Sequence, residues 1–185
     1  MTTERAGNYG RLRRSAPPTV FNKFRRVTWR LVESSLYRWS PVWLHGWRCW
    51  LLRVFGASVG PGVHSYPTAR IWAPWNLRLG AHSCLGPHVN CYSVGKVAVG
   101  DRVVVSQGVH LCSATHDYRV EEFTLLVGDI EIAPLAWIAA DAFIGPGVVV
   151  GERAVVGARA VVMRDVKAGS VVAGNPASFI RYRSG

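Results

Sequence analysis

His116 stands in the segment Ser113-Ala114-Thr115-His116-Asp117, inside residues 113–131, a stretch with no apolar periodicity. An imidazole in such a place is either a solvated surface side chain or a proton acceptor. Its unperturbed pKa of about 6.5 leaves it largely neutral near pH 7, which suits the second role. Asp117 follows directly, but neighbours in sequence seldom face each other, so a carboxylate orienting the imidazole could equally come from elsewhere. The four cysteines (Cys49, Cys84, Cys91, Cys112) are scattered and form no Cys-x-x-Cys pair. That pattern points to reduced thiols in a cytoplasmic protein, not to a disulfide framework.

The chain around these residues has 185 positions, 49% of them apolar, and a net charge of +11. One domain of ordinary size with an appendage is the expectation, and general disorder is excluded by the content of Val, Ile, Trp and Phe. No window offers about 20 apolar residues free of arginine, so no membrane-spanning helix is expected. Residues 1–56 carry a balance of +9 and five of the eight tryptophans: Trp29, Trp39, Trp43, Trp47 and Trp50. Residues 1–17 read as a mobile basic tail and 18–56 as a helical arm, with Leu36, Trp43, Trp47, Trp50, Leu51 and Val54 at helical spacings. Such an arm packs on the main domain or a second subunit, or lies on a membrane surface. Nucleic acid is not expected as a partner, because no motif for it accompanies the charge.

A repeat decides the fold. Ile132, Ile138, Ile144, Val150, Val156 and Val162 recur every six residues, mostly followed by a small residue: Ala133, Ala139, Gly145, Gly151, Gly157. Leu79-Gly80, Leu85-Gly86, Val99-Gly100, Val105-Ser106 and Leu111-Cys112 form an earlier set, and Val59, Ile71 and Leu77 a poorer start. Six fits a short strand and a turn, three times per coil, in a parallel solenoid with aliphatic residues stacked inward at about 5 Å. The small residue is expected where the corner crowds larger side chains and favours positive φ. Four to five coils over residues 57–175 follow, with residues 176–185 as a tail. The single break is an extruded loop at 113–131, and a long excursion from a compact domain is usually functional.

The segments IWAPWNLRLGAHSCLG, YSVGKVAVGDRVVVSQGVHLCSATHDY, WIAADAFIGPGVVVGERAVVGARAVVMRDV and VVAGNPA resemble the hexapeptide-repeat acyltransferases. Within that family the chain is most similar to colanic-acid-biosynthesis-type O-acetyltransferases, relatives of the galactoside and maltose enzymes. The resemblance implies a mainly β, left-handed parallel β-helix. It further implies a homotrimer with acetyl-CoA between adjacent solenoids, no metal, and a sugar or glycan hydroxyl as acceptor. His116 falls on the family's general base, with Asp117 beside it as a candidate participant. An acceptor-contacting asparagine upstream falls near His88-Val89-Asn90, at a shorter spacing, which makes Asn90 and His88 the acceptor candidates. Coenzyme contacts fall on Trp137, Ala139, Ala140 and Ala158, with phosphate contacts on Arg164 and Arg181. A further phosphate contact falls on Ser178, which carries no charge.

Two other readings compete. A β-helix carbonic anhydrase would gather His88, His110 and His116 about a metal across a subunit boundary. A non-catalytic assembly subunit would keep the fold without the chemistry.

Overall fold

The computed structural model describes residues 11–17 and 19–184. Strands of mostly two or three residues alternate with turns, and equivalent strands of successive coils pair in parallel. The first face stacks Ser58–Val59, Leu77–Leu79, Val97–Val99, Ile130–Ile132 and Val149–Val150. The second stacks His64–Ser65, Cys84–Leu85, Val104–Val105, Trp137–Ile138, Val155–Val156 and Ser170–Ala173. The third stacks Arg70–Ile71, Asn90–Tyr92, His110–Cys112, Phe143–Ile144 and Val161–Val162. Together they make a left-handed parallel β-helix of about six turns. It exceeds the expected four to five because His64–Ser65 and Arg70–Ile71 form true first-coil strands although few small residues mark them. Ser178–Tyr182, expected in the tail, returns antiparallel to Ser170–Ala173 and extends the second face.

The inward files are dry. Leu85, Val105, Ile138 and Val156 on the second face, and Cys91, Leu111 and Ile144 on the third, are fully buried. Each large aliphatic side chain so placed contributes about 1.5–3 kcal/mol of transfer free energy. Burial also pushes the Cys91 thiol up to about 12, which makes it an inert filler. The small residue of each hexad answers to crowding alone. A Cβ on Gly100 would lie 2.7 Å from the Pro134 nitrogen and 2.9 Å from the Ile132 oxygen of the next coil. Positive φ falls two positions later, at His82, His88, Arg102, Asp141, Arg153 and Arg159, so the expected link between small residue and positive φ is corrected.

The arm closes the first coil. Helix α1 (Val20–Val32) runs into a π-helical turn at Glu33–Tyr37, and α2 (His45–Val54) follows. Trp29 Nε1 donates to the Ile71 carbonyl at 2.7 Å, and the Tyr37 hydroxyl meets Ser65 Oγ at 2.5 Å. Arg25 lies over Trp75 at 4.2 Å and Arg26 over Trp72 at 4.1 Å, so these two tryptophans are covered by the arm. Arg48 is wholly buried and donates to the carbonyls of Ser65 (2.6 Å), Pro41 (2.7 Å) and Val42 (2.5 Å) and to Ser40 Oγ (2.7 Å). One guanidinium thus ties the turn between the helices to the first coil. No described helix is long and apolar enough to cross a membrane.

Arg48→Met leaves these acceptors without their donor. Hydrogen bonds to a charged group contribute about 1.5–3 kcal/mol each, so the arm is expected to detach while the solenoid stays folded. Limited trypsin digestion should then cut at Arg38 and Arg53 with the β circular dichroism retained; an arm as resistant as wild type would refute this role.

Candidate active site

The excursion is built from two short strands that leave the third face after Cys112 and return to the first at Ile130. Ala114–His116 pairs antiparallel with Leu125–Val127, and Arg13–Arg14 adds to the other edge of Leu125–Val127. Arg13 pairs with Asp129 and Arg11 with Asp165, each at 2.8 Å. Residues 11–17, expected as part of a mobile tail, therefore brace the excursion; residues 1–10 lie outside the described residues.

His116 ends its strand with its side chain exposed. Its Nδ1 lies 2.6 Å from the carbonyl oxygen of Phe123. A carbonyl can only accept, so Nδ1 carries a proton, and in the neutral ring Nε2 is the acceptor. Phe123 holds φ at +45°, the local distortion that accompanies this turn of the loop. Asp117 is turned elsewhere: its two oxygens take Arg119 Nε at 2.7 Å and Nη2 at 3.0 Å. The hydrogen bond from Arg119 and its charge hold the Asp117 carboxyl below its usual range. Asp117 acts on the loop, and the group orienting the imidazole is a main-chain carbonyl. Sequence reasoning missed Phe123 because a carbonyl leaves no signature in residue type.

The remaining candidates fall in three places. Trp137, Ala139 and Ala140 lie along the second face and the corner after it, and Ala158 stands on the next coil at that corner. Trp137 is 47% exposed, and its Nε1 donates to Ser106 Oγ at 2.9 Å. Arg181 joins them, since Trp137, Val155, Val171 and Arg181 form one outward file through the paired strands. Arg164 is separate. It lines a groove of about 810 Å³ with Thr115, Met163, Lys167, Ser178 and Phe179. Asn90 lines a cavity of about 410 Å³ between arm and third face, with Arg30, Arg38, Arg70, Trp72 and Tyr92. His88 sits exposed on a left-handed corner, outside that lining.

His110 stacks in register above Asn90, edge-on to Phe143, and burial lowers its pKa. Among the described residues of one chain, no group of three or more His, Cys, Asp and Glu could hold a metal ion.

No protein-family model matches the chain. It is 40% identical over 162 residues, 88% of this chain and 89% of the other, to WcaF of Escherichia coli (strain K12), described by inference as a colanic acid biosynthesis acetyltransferase. Solved structures of acetyltransferases share the fold. The hexapeptide-repeat acetyltransferase VCA0836 of Vibrio cholerae, complexed with acetyl coenzyme A, has a TM-score of 0.81 at 23% identity, covering 90% of this chain and 91% of that one. Galactoside acetyltransferase in complex with coenzyme A has a TM-score of 0.79 at 21% identity, covering 100% and 92%. The fold, together with 40% identity over 88% of this chain to an acetyltransferase, defines the class, the β-helix acyltransferases. The chain belongs to the hexapeptide-repeat acetyltransferase family and, within it, is a relative of WcaF.

The Asp129 brace has a pH dependence. Burial opposes ionisation of this carboxyl most, yet bonds from Arg13 and the Lys96 amide, with their charges, outweigh it and lower the pKa. A depressed carboxylate stabilises the fold above its unfolded pKa of about 3.9 and loses that contribution as pH falls through the folded value. Hydrogen-exchange protection at Leu126 and Val127 is expected to fall below about pH 4 in wild type, and at pH 7 in Asp129→Asn. Unchanged protection in the variant would show the pairing to be independent of this ion pair.

Proposed function

We propose that the chain transfers the acetyl group of acetyl-CoA to a hydroxyl of a sugar or glycan, with His116 as general base. The observation that carries this reading is the imidazole fixed through Nδ1 by the Phe123 carbonyl, which leaves Nε2 to accept a proton. The acceptor oxygen attacks the thioester carbonyl as Nε2 takes its proton. The imidazolium is stabilised by the Nδ1–H bond to Phe123. Collapse of the tetrahedral intermediate expels the coenzyme thiolate, and the imidazolium returns the proton to sulfur. General-base assistance of this kind is worth about 10²–10⁴-fold.

The donor is that of the complexes seen for the fold relatives. In this reading the coenzyme lies along the Trp137, Ala139, Ala140 and Ala158 edge, with Arg181 at the end of the file. Arg164, in its own groove, reaches the donor only across a subunit boundary. A homotrimer is therefore part of the proposal, with the exposed Trp137 and Val104 of the second face at the contact. Trp72 and Trp75, held under the arm, contribute nothing to that contact. Asn90 is assigned to the acceptor, because its cavity offers an amide, aromatic faces and three guanidiniums.

A thiol-release assay with acetyl-CoA across a panel of sugars and nucleotide-sugars tests the activity. His116→Ala is expected to lower turnover by about 10²–10⁴-fold with the assembly intact. A variant keeping more than about a tenth of the rate removes His116 from this role. Arg181→Ala is expected to raise the KM for acetyl-CoA with kcat nearly unchanged, as phosphate contacts lie far from the reacting carbonyl. A change confined to the acceptor KM would reassign that face. Light scattering should give three times the 20.3 kDa chain mass, and a monomer would contradict the shared site.

A further inference from the structure

A surface helix of a globular protein ordinarily turns its apolar stripe to the core. Both helices of the arm do the reverse. In α1 the residues at i, i+4, i+7 and i+11 are Val20, Phe24, Val27 and Leu31, and all are at least 60% exposed; the one buried residue is Trp29, on the opposite side. Around α2 the same spacing gives Trp43, Trp47, Trp50 and Val54, all exposed, while Arg48, Cys49, Leu51 and Leu52 face inward. Trp47 stacks on Trp50 within the α2 stripe, and its Nε1 donates to the Leu36 carbonyl of the turn that follows α1 at 3.1 Å. Trp39, between the helices, is the most exposed tryptophan at 82%. The display is rigid because Trp29, Tyr37 and Arg48 fix the inner sides of the arm to the first coil.

We propose that this strip seats the protein on an anionic lipid surface, with α1 lying flat in the headgroup layer. The occupant is read from charge. Lys23 and Arg30, seven residues apart and so on one side of α1, border the strip and are exposed, as is Arg38 beyond it. Residues 1–56 hold +9 of the +11 total, so residues 57–185 have a balance of only +2. A second arm would bring like charges together, and in the acidic excursion, residues 113–131, Asp117 and Asp129 are already paired with Arg119 and Arg13. An anionic bilayer supplies both the apolar layer and the counter-charge. Tryptophan favours the membrane interface, and cations near such a surface add to binding. Helices with an apolar face bordered by Lys and Arg insert about 5–10 Å into the headgroup boundary. The inference stands independently of the acetyl-transfer reading.

The test is vesicle co-sedimentation of the full chain, with phosphatidylcholine alone and phosphatidylcholine mixed with phosphatidylglycerol. Binding should be at least tenfold stronger to the anionic vesicles and should weaken with salt, whose screening length is about 10 Å at 0.1 M. Phe24→Asp with Trp43→Asp, and separately Trp39→Ser, should each reduce pelleting while circular dichroism and the unfolding midpoint stay at wild-type values. Lys23→Glu with Arg38→Glu should remove the preference for anionic lipid. Absence of pelleting, or equal pelleting with both vesicle types, overturns the proposal. So does a strip variant that lowers the assembly mass in light scattering without changing pelleting, because a second copy would then cover the strip.

Discussion

The pitch of the coils, about 4.8 Å between paired strands, is the constraint on which everything else rests. At that spacing each inward aliphatic side chain touches its equivalents above and below, which closes the core without a second layer. The same spacing brings corner backbones so near that a Cβ on Gly100 would collide with Pro134 and Ile132. Small residues at the corners are therefore a condition of stacking. Left-handed backbone enters two positions later, where the chain completes its turn and side chains as large as Arg102 and Arg159 point to solvent.

A regular solenoid has two open ends and few places for an irregular group. The arm meets the first problem by spending polar atoms on main chain: Trp29, Arg48 and Arg53 all donate to carbonyls of the arm and first coil, and Glu33 accepts from Ile71 N–H. Burial raises the Glu33 pKa, opposed by that N–H and by Arg30, Arg70 and Arg38. The excursion meets the second problem. It leaves from one corner of the third coil, and its returning strand restores the register with Ile130 opposite Val97. The repeat on either side is undisturbed, so the histidine sits on a rigid frame.

Most of the fold was legible because the repeat is a constraint on side-chain size and polarity, which sequence records directly. Ile132 through Val162 all occupy the inward positions their spacing assigns. The first coil was less legible, since His64, Ser65, Arg70 and Ile71 lack the aliphatic–small alternation and are held in place by the arm as well as by the coil above. At the site, type and context singled out His116 as the candidate, whereas the Phe123 carbonyl that meets its Nδ1 left no trace in the sequence. Asp117 stood open in the sequence between orienting the imidazole and holding the loop, and the geometry gives its carboxylate to Arg119. Helical spacing located Trp43, Trp47, Trp50 and Val54 but grouped the buried Leu51 with them, passed over the stripe of α1, and could not tell which way either faces; that depended on Trp29 and Arg48 having partners on the first coil.

The N-terminal segment joins the arm to the site. Only a short connection separates Arg13–Arg14, paired with the excursion, from the start of α1 at Val20. Arg11 reaches past the excursion to Asp165, next to Arg164, and Leu12 lines the groove that holds Thr115 and Met163. The strand carrying His116 thus lies in one sheet with the strand that precedes α1 in the chain. Such a sheet resists bending at its centre more than at its rim, because Leu125–Val127 has partners on both sides. His116 is on one of the two outer strands but is pinned from its own loop by Phe123. The imidazole is therefore positioned by two independent supports: pairing to Leu125 along the strand, and the Nδ1 bond across the turn. In the proposed reaction, an imidazole held at both the backbone and the ring would lose little orientational freedom on binding substrate.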